Sequence, residues 1–199
     1  MGKSDSASAP LDFLSPATRA VLKLGAPGAY AQLVPSGSGS AEARDAIDIL
    51  NPDALLNAPV AHREDAQAML AGLWLWHDFL DESHRISQQI TSATGSFWHA
   101  IMHRREGDFS NSKYWYARCA THPALVTLAK HAEDVVRNAP ADKSVFKVTA
   151  SGFSPNAFVD LVETVHDRPD DPRYALAVSL QQAEWKTLFD HCVRSARGG

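Results

Sequence analysis

Residues 63–89 read REDAQAMLAGLWLWHDFLDESHRISQQ and carry the clearest helical pattern in the chain. Apolar or partly apolar side chains recur there at intervals of three and four residues: Ala66, Leu70, Leu73, His77, Leu80 and His84. This spacing is typical of the buried face of an amphipathic helix. The sequence therefore predicts one long central helix over residues 63–89.

Similar patterns on the C-terminal side predict further helices over residues 96–106, 109–119, 122–138, 154–165 and 172–197. Polar and glycine-containing breaks at 91–95 and 107–108 separate the first two from their neighbours. Only residues 144–150 have a β-like composition. Since an isolated strand leaves its own backbone groups unpaired, we expect a loop or a short edge there.

Five prolines follow a residue that can accept a hydrogen bond from the first turn of a helix or stand directly before that turn. They occur in Ser15-Pro16, Asn51-Pro52, His122-Pro123, Ser154-Pro155 and Asp171-Pro172. Proline at the first helical position loses no hydrogen bond, and Ser, Asn or Asp before it caps free N–H groups. These dipeptides predict five helix starts.

The chain has 199 residues, of which 45% are hydrophobic and 21% charged, which is sufficient for one ordinary core. We therefore predict an all-α fold, a compact bundle of about six to eight helices in a single domain over residues 15–199. Residues 1–14 are polar and are expected to form a flexible N-terminal leader.

Charge and hydropathy argue against two classes of partner. A formal net charge of −4 supplies no broad basic field, so we expect no binding to nucleic acid. Apolar runs such as residues 71–76 are much shorter than a membrane span, so no membrane segment is expected. The N-terminus lacks the apolar core of a secretory signal, and Cys119 and Cys192 form no C-x-x-C pair, which favours a cytoplasmic location.

His77 lies between Leu73 and Leu80 on the apolar stripe, so the predicted central helix directs its imidazole inward. Asp81 and His84 continue the same side at intervals of four and three residues. A buried imidazole needs a partner, and Asp81 at i+4 is the nearest candidate.

The next predicted helix carries His99, His103 and Glu106 on the flank of its apolar face. Two helices that both present imidazole and carboxylate groups can supply several ligands to one divalent metal, or can act as general acid and base. The candidate metal ligands are His77, Asp81, His84, His99 and His103, and the candidate catalytic residues are His99, His103 and Glu106. Ala100 stands where the helical zinc-protease motif has glutamate, which disfavours that class.

Asn111, Trp115 and Arg118 follow at i, i+4 and i+7 along one helical face, with Lys113 between them. An amide, an indole and cationic groups together can hold a planar or anionic small molecule. These four residues are the candidate ligand-binding residues. The same residues could equally form hydrogen bonds between helices.

Residues 95–115 read GSFWHAIMHRREGDFSNSKYW, and this segment resembles the signature of an uncharacterised family of soluble helical proteins. The resemblance covers mainly residues 74–123. It implies a helical domain, and it implies no activity, substrate or catalytic residue.

Three functions remain open from the sequence. The first is an enzyme, a hydrolase that uses a divalent metal or a His–carboxylate pair on a small polar ligand. The second is a binding protein that holds the same small molecule without turnover, and the third is a scaffold that forms a homodimer through its aromatic residues. In a purely structural interpretation, His77 and His84 are core histidines, and Arg104, Arg105, Glu106 and Asp108 form a solvated network of ion pairs.

Overall fold

Ten α-helices make up most of the chain in the computed structural model, which describes residues 10–25, 28–137 and 143–199. They are α1 (Pro16–Lys23), α2 (Ala41–Asp48), α3 (Arg63–Trp76), α4 (Leu80–Ser87), α5 (Ala93–Glu106), α6 (Phe109–Arg118), α7 (Ala124–Arg137), α8 (Lys143–Thr149), α9 (Pro155–Val165) and α10 (Pro172–Ala196). The same residues contain no β-sheet, only isolated bridges. The all-α prediction is confirmed, with more helices than expected. None of these helices combines the length and the hydropathy that crossing a membrane requires.

The proline-marked starts are largely confirmed by the hydrogen bonds of the residues before them. Proline is the first residue of α1, α9 and α10, and the side chains of Ser15, Ser154 and Asp171 accept from backbone N–H groups of the first turn. Pro52 begins only a 3-10 turn, Pro52–Ala54. Before α7, the N–H of Ala124 donates to His122 Nδ1 at 3.1 Å.

The main core lies where α3, α5 and α10 pack together. Trp98 of α5 is fully buried between the other two helices, and a Cβ on Gly72 of α3 would come within 2.8 Å of its ring. The same glycine exposes its carbonyl oxygen to Trp185 of α10, whose Nε1–H donates to it at 2.9 Å. Gly72 therefore permits the close approach of all three helices.

The predicted long helix over 63–89 is wrong, because the chain breaks between α3 and α4. Asp78 has φ of +63°, a left-handed conformation that ends the first helix. Arg105 of α5 stabilises this break: its guanidinium donates to Leu75 O at 2.9 Å and pairs with the Asp78 carboxylate at 2.8 Å. The break turns α4 so that it packs beside α5.

Residues 144–150 are also corrected, since most of them belong to α8. Val145 and Val148 are 1% and 0% exposed, in a second apolar cluster with Phe158, Val162 and other residues of α9 and α10. Two valines three residues apart lie on the same side of a helix, and burying that side outweighs the β propensity of the segment.

Residues 1–9 of the predicted leader lie outside the described residues. In the described part of that segment, residues 10–13 form a 3-10 turn, and Leu14 is 1% exposed and bridges to Leu56. Further on, Tyr30 and Leu33 are fully buried. Gln181 Nε2 donates to Gln32 O at 2.8 Å, which fixes this part of the chain to α10.

Arg104 and Arg105 are fully buried, so the solvated network that included them is wrong. Arg104 pairs with Glu184 of α10 at 2.6 Å, and the Tyr116 hydroxyl donates to the other oxygen of that carboxylate at 2.5 Å. Buried charges persist in proteins when they are paired and hydrogen-bonded in this way.

Candidate metal centre

Three histidines converge where α4 packs against α5. His84 comes from α4, and His99 and His103 come from successive turns of α5. One nitrogen from each ring lies within 4.8 Å of one nitrogen from each of the others. The ring centroids of His84 are 4.7 Å from His99 and 5.5 Å from His103, and those of His99 and His103 are 4.7 Å apart.

His99 occupies the most enclosed position of the three. It is 3% exposed, and its Nδ1 is buried with no hydrogen-bond partner. Burial, followed by the nearby charges of His103 and His84, lowers the pKa of His99 to about 4. The imidazole is therefore neutral at physiological pH and offers an unprotonated nitrogen.

His103 is held by two polar side chains. Its Nδ1 lies 2.5 Å from Glu106 Oε1, and the Asn111 amide nitrogen lies 3.1 Å from its Nε2. A proton on Nδ1 donates to the Glu106 carboxylate, and the lone pair on Nε2 then accepts from the Asn111 N–H. A metal bound at Nε2 would take the place of this Asn111 donor. Glu106 thus selects the tautomer and the orientation of this ring.

Trp115 of α6 covers His99. Their rings are stacked with centroids 4.1 Å apart and an angle of 19° between the planes. The Arg118 guanidinium lies 5.3 Å from the Trp115 ring on the exposed surface of the same helix. The structure therefore brings Asn111, Trp115 and Arg118 to the histidine cluster or its border.

The other predicted site residues lie elsewhere. His77 Nε2 is 2.9 Å from Val21 O of α1, a hydrogen bond that joins the end of α3 to the N-terminal helix. Asp81 is exposed and is not among the residues grouped around the three imidazoles. The Lys113 ammonium pairs with Asp160 of α9 at 2.5 Å. His77 and Lys113 therefore stabilise contacts between helices.

A second group of possible ligands, His103, Glu106 and Asp108, lies at the end of α5. Both acids are exposed. Asp108 caps α6, where its carboxylate accepts from the N–H of Asn111 at 3.0 Å, and this bond is the main reason why its pKa is lowered. Asp108 therefore acts as the cap of α6, and Glu106 orients His103, so both carboxylates have a role without a metal.

Thiolate ligation is not available near the cluster. Cys119 and Cys192 are free and buried, and burial raises the pKa of the Cys119 thiol to about 12. A neutral, buried thiol is a poor metal ligand. The candidate centre therefore depends on imidazole nitrogen alone.

Sequence reasoning missed the buried pairing of Arg104 with Tyr116 and Glu184. A signal was present, because Arg104 follows Phe97 and Ile101 at i+7 and i+3, on the apolar face of α5. A charged residue on such a face requires a buried partner from another helix. The sequence offered no means of choosing Glu184 as that partner.

No protein-family model, no curated protein and no solved structure matches this chain.

Proposed function

We propose that this protein binds a divalent transition-metal ion through His84, His99 and His103, and uses it as a Lewis acid in the hydrolysis of a small polar molecule. The observation that carries the proposal is the convergence of three imidazole nitrogens within 4.8 Å of one another. In addition, Nδ1 of His99 is buried and has no hydrogen-bond partner. A buried, unpaired polar atom costs about 1–3 kcal/mol, and coordination through Nδ1 of His99 would remove that cost.

The donor set favours a metal such as zinc. Imidazole nitrogen suits Zn²⁺, Cu²⁺, Fe²⁺ and Ni²⁺, and three protein ligands with an open position are typical of catalytic zinc. With Zn–N distances of about 2.0–2.1 Å, ligand nitrogens lie roughly 3.4 Å apart. The nitrogens lie within 4.8 Å of one another, so the cluster would contract on binding, and we expect His84, the least buried of the three rings, to move.

Residues around the three imidazoles support this reading. The Glu106–His103 contact is the carboxylate–histidine arrangement that orients metal ligands in proteins. His99 needs to lose no proton at neutral pH before it binds a metal, since its pKa is about 4. The stacked Trp115 restricts rotation of the His99 ring.

Three neutral ligands leave the full positive charge of the ion available for catalysis. A metal held in this way can polarise a carbonyl or phosphoryl oxygen, or activate water, at neutral pH. The exposed Arg118 at the border of the site supplies a cation that can hold an anionic group of the substrate. These features favour hydrolysis of a polar or anionic ester.

A metal-free enzyme is the second candidate, and the 2.5 Å contact between His103 and Glu106 favours it. In this version the carboxylate orients His103, which acts as a general base towards water. The two candidates differ in their requirement for metal, so the same experiments separate them.

Metal binding is tested on protein purified without an affinity tag and stripped with a chelator. Titration with Co²⁺, followed by its visible absorption, and calorimetry with Zn²⁺ should both give one ion per chain. His84→Ala and His99→Ala should each weaken binding by about tenfold or more, because each removes one of three ligands. His62→Ala is the matched control, since His62 is exposed and its side chain makes no capping bond. No binding, or equal binding by the site variants, would contradict the proposal.

Hydrolysis is tested with aryl esters and phosphoesters, with and without added Zn²⁺ or Mn²⁺. The metal-dependent version predicts turnover that chelation and His99→Ala abolish. Turnover that survives chelation but is lost in Glu106→Gln would identify the metal-free version. Metal binding without turnover of any substrate would leave a non-catalytic metal site.

Cytoplasmic location, a small polar ligand and a homodimer remain predictions of the sequence. Sedimentation at high protein concentration tests the dimer, and a ligand screen by thermal shift tests the small molecule, because binding to the native state raises its stability.

A further inference from the structure

We propose a second binding site, for a small planar aromatic carboxylate, in the cavity between α1, the end of α3 and α10. The cavity has a volume of about 440 Å³ and shares no lining residue with the histidine cluster. This volume falls within the range of about 300–1,000 Å³ that is typical of small-molecule sites. The cavity is too small for a folded partner, which favours a small ligand.

Aromatic rings form the floor of this cavity. Trp185 stacks on Phe189 with centroids 4.6 Å apart and an angle of 13°, and Trp76 lies 4.5 Å from Trp185. The hydrogen bond from Trp185 Nε1 to Gly72 O fixes the central ring. Trp185 and Phe189 are 5% and 2% exposed, so a ligand would pack mainly against the half-buried Trp76. A rigid apolar floor favours a flat apolar ligand, because the protein needs no further ordering to hold it.

Trp76 has an unused donor. Its Nε1 is buried and has no hydrogen-bond partner, although the ring lines the cavity. An indole N–H can only donate, so it is satisfied by an acceptor such as a carboxylate oxygen. Because the nitrogen itself is not exposed, a ligand carboxylate would reach it after a small rotation of the half-buried Trp76 ring. This unpaired donor is a second feature, independent of the apolar floor, that favours a polar group on the ligand.

Cations border the same cavity. Arg19 and Lys23 lie one turn apart on α1 and line it, and neither has an ion-pair partner among the described residues. Lys186, a third lining cation, is paired with Asp190 at 2.7 Å. Two unpaired cations beside an apolar floor, in a chain of net charge −4, favour an anion over a neutral ligand.

The probe for this site is 2-naphthoate, with neutral 2-naphthamide as its isostere. Calorimetry is performed on the full chain with a chelator present, so that a metal at the histidine cluster cannot bind the carboxylate. We expect saturable binding of one 2-naphthoate per chain, about tenfold or more tighter than 2-naphthamide. Because the measurement excludes metal, its failure and the failure of the metal proposal are distinguishable.

Two variants locate the site. Arg19→Glu/Lys23→Glu reverses the charge at the border and should weaken 2-naphthoate about tenfold or more, with little effect on 2-naphthamide. Gln182→Trp, at a half-buried lining position of α10, should fill the cavity and abolish binding of both. Lys130→Glu, at an exposed position of α7 that does not line the cavity, is the control and should bind as the wild type does. Circular dichroism checks that each variant is folded.

Four outcomes would overturn the inference. The first is that 2-naphthoate does not bind, and the second is that it binds no better than 2-naphthamide. The third is that 2-naphthoate binds unchanged to Gln182→Trp and to the α1 double variant, both of them folded. A concentration-dependent dimer that Gln182→Trp abolishes would also overturn it, by identifying a second copy of the chain as the occupant.

Discussion

The indole ring of Trp115 stacks on the imidazole ring of His99, although the two residues belong to different helices. The contact covers one face of a buried histidine whose Nδ1 has no partner. It therefore fixes the position of the ring at the centre of the cluster and links α6 to the proposed metal site.

Removal of this stack should weaken metal binding without removing a ligand. We expect Trp115→Ala to lower Zn²⁺ affinity about tenfold, because residues that orient a ligand contribute to affinity at that level. Trp115→Phe retains an aromatic face and should lose much less. Competition titration with a chromophoric chelator measures both variants, and equal affinity of Trp115→Ala and wild type would refute the role of the stack.

Acid should destabilise the metal-free protein through His99 and His122. Burial lowers the pKa of each to about 4, with nearby histidines adding to the effect, whereas an unfolded histidine titrates near 6.5. Between these values the unfolded chain binds more protons, so the free energy of unfolding falls as pH falls. The loss is roughly 3 kcal/mol for each residue when the pH reaches 4.

The pH effect is checked by urea unfolding at pH 7 and pH 4.5 in chelator. His99→Gln carries no titrating group and should show a smaller loss of stability on acidification than the wild type. His62→Gln, at an exposed position, is the control and should behave as the wild type does. An unchanged pH dependence in His99→Gln would contradict the assignment.

The buried pair of Arg104 and Glu184 should be essential to the fold. Glu184→Gln leaves a fully buried guanidinium without its counter-charge, and we expect a loss of about 3–5 kcal/mol in the free energy of unfolding. The comparison is Asp134→Asn, which breaks an exposed ion pair with Arg137 and should cost less than about 1 kcal/mol. Urea unfolding measures the stability of both variants. Similar losses of unfolding free energy in Glu184→Gln and Asp134→Asn would argue against the importance of burial.

Gly95 should tolerate no side chain. A Cβ at this position of α5 would lie 2.2 Å from Ile90 O, a backbone atom that cannot move aside easily. We expect Gly95→Ala to destabilise the protein by about 1–3 kcal/mol or more. Gly37→Ala is the matched control, because a Cβ there meets nothing within 4 Å. Thermal unfolding distinguishes the two, and equal melting temperatures would contradict the predicted clash.

The sequence by itself determined the all-α class and several helix bounds. Helices over 154–165 and 172–197 were predicted to within a residue or so of α9 and α10, because proline and its capping neighbour act locally. The spacing of His99, His103 and Glu106 on one flank of α5 was equally local, since helical periodicity alone fixes it.

Only the tertiary structure decided where α3 ends and which histidines meet. The break at Asp78 depends on Arg105, which is 27 residues further along the chain and satisfies the end of α3 from another helix. Without that break, His77 and His84 would share one helix. With it, His77 bonds to α1 while His84 turns towards His99. Long-range polar contacts of this kind leave no periodic trace in a sequence, because their partners are chosen by packing.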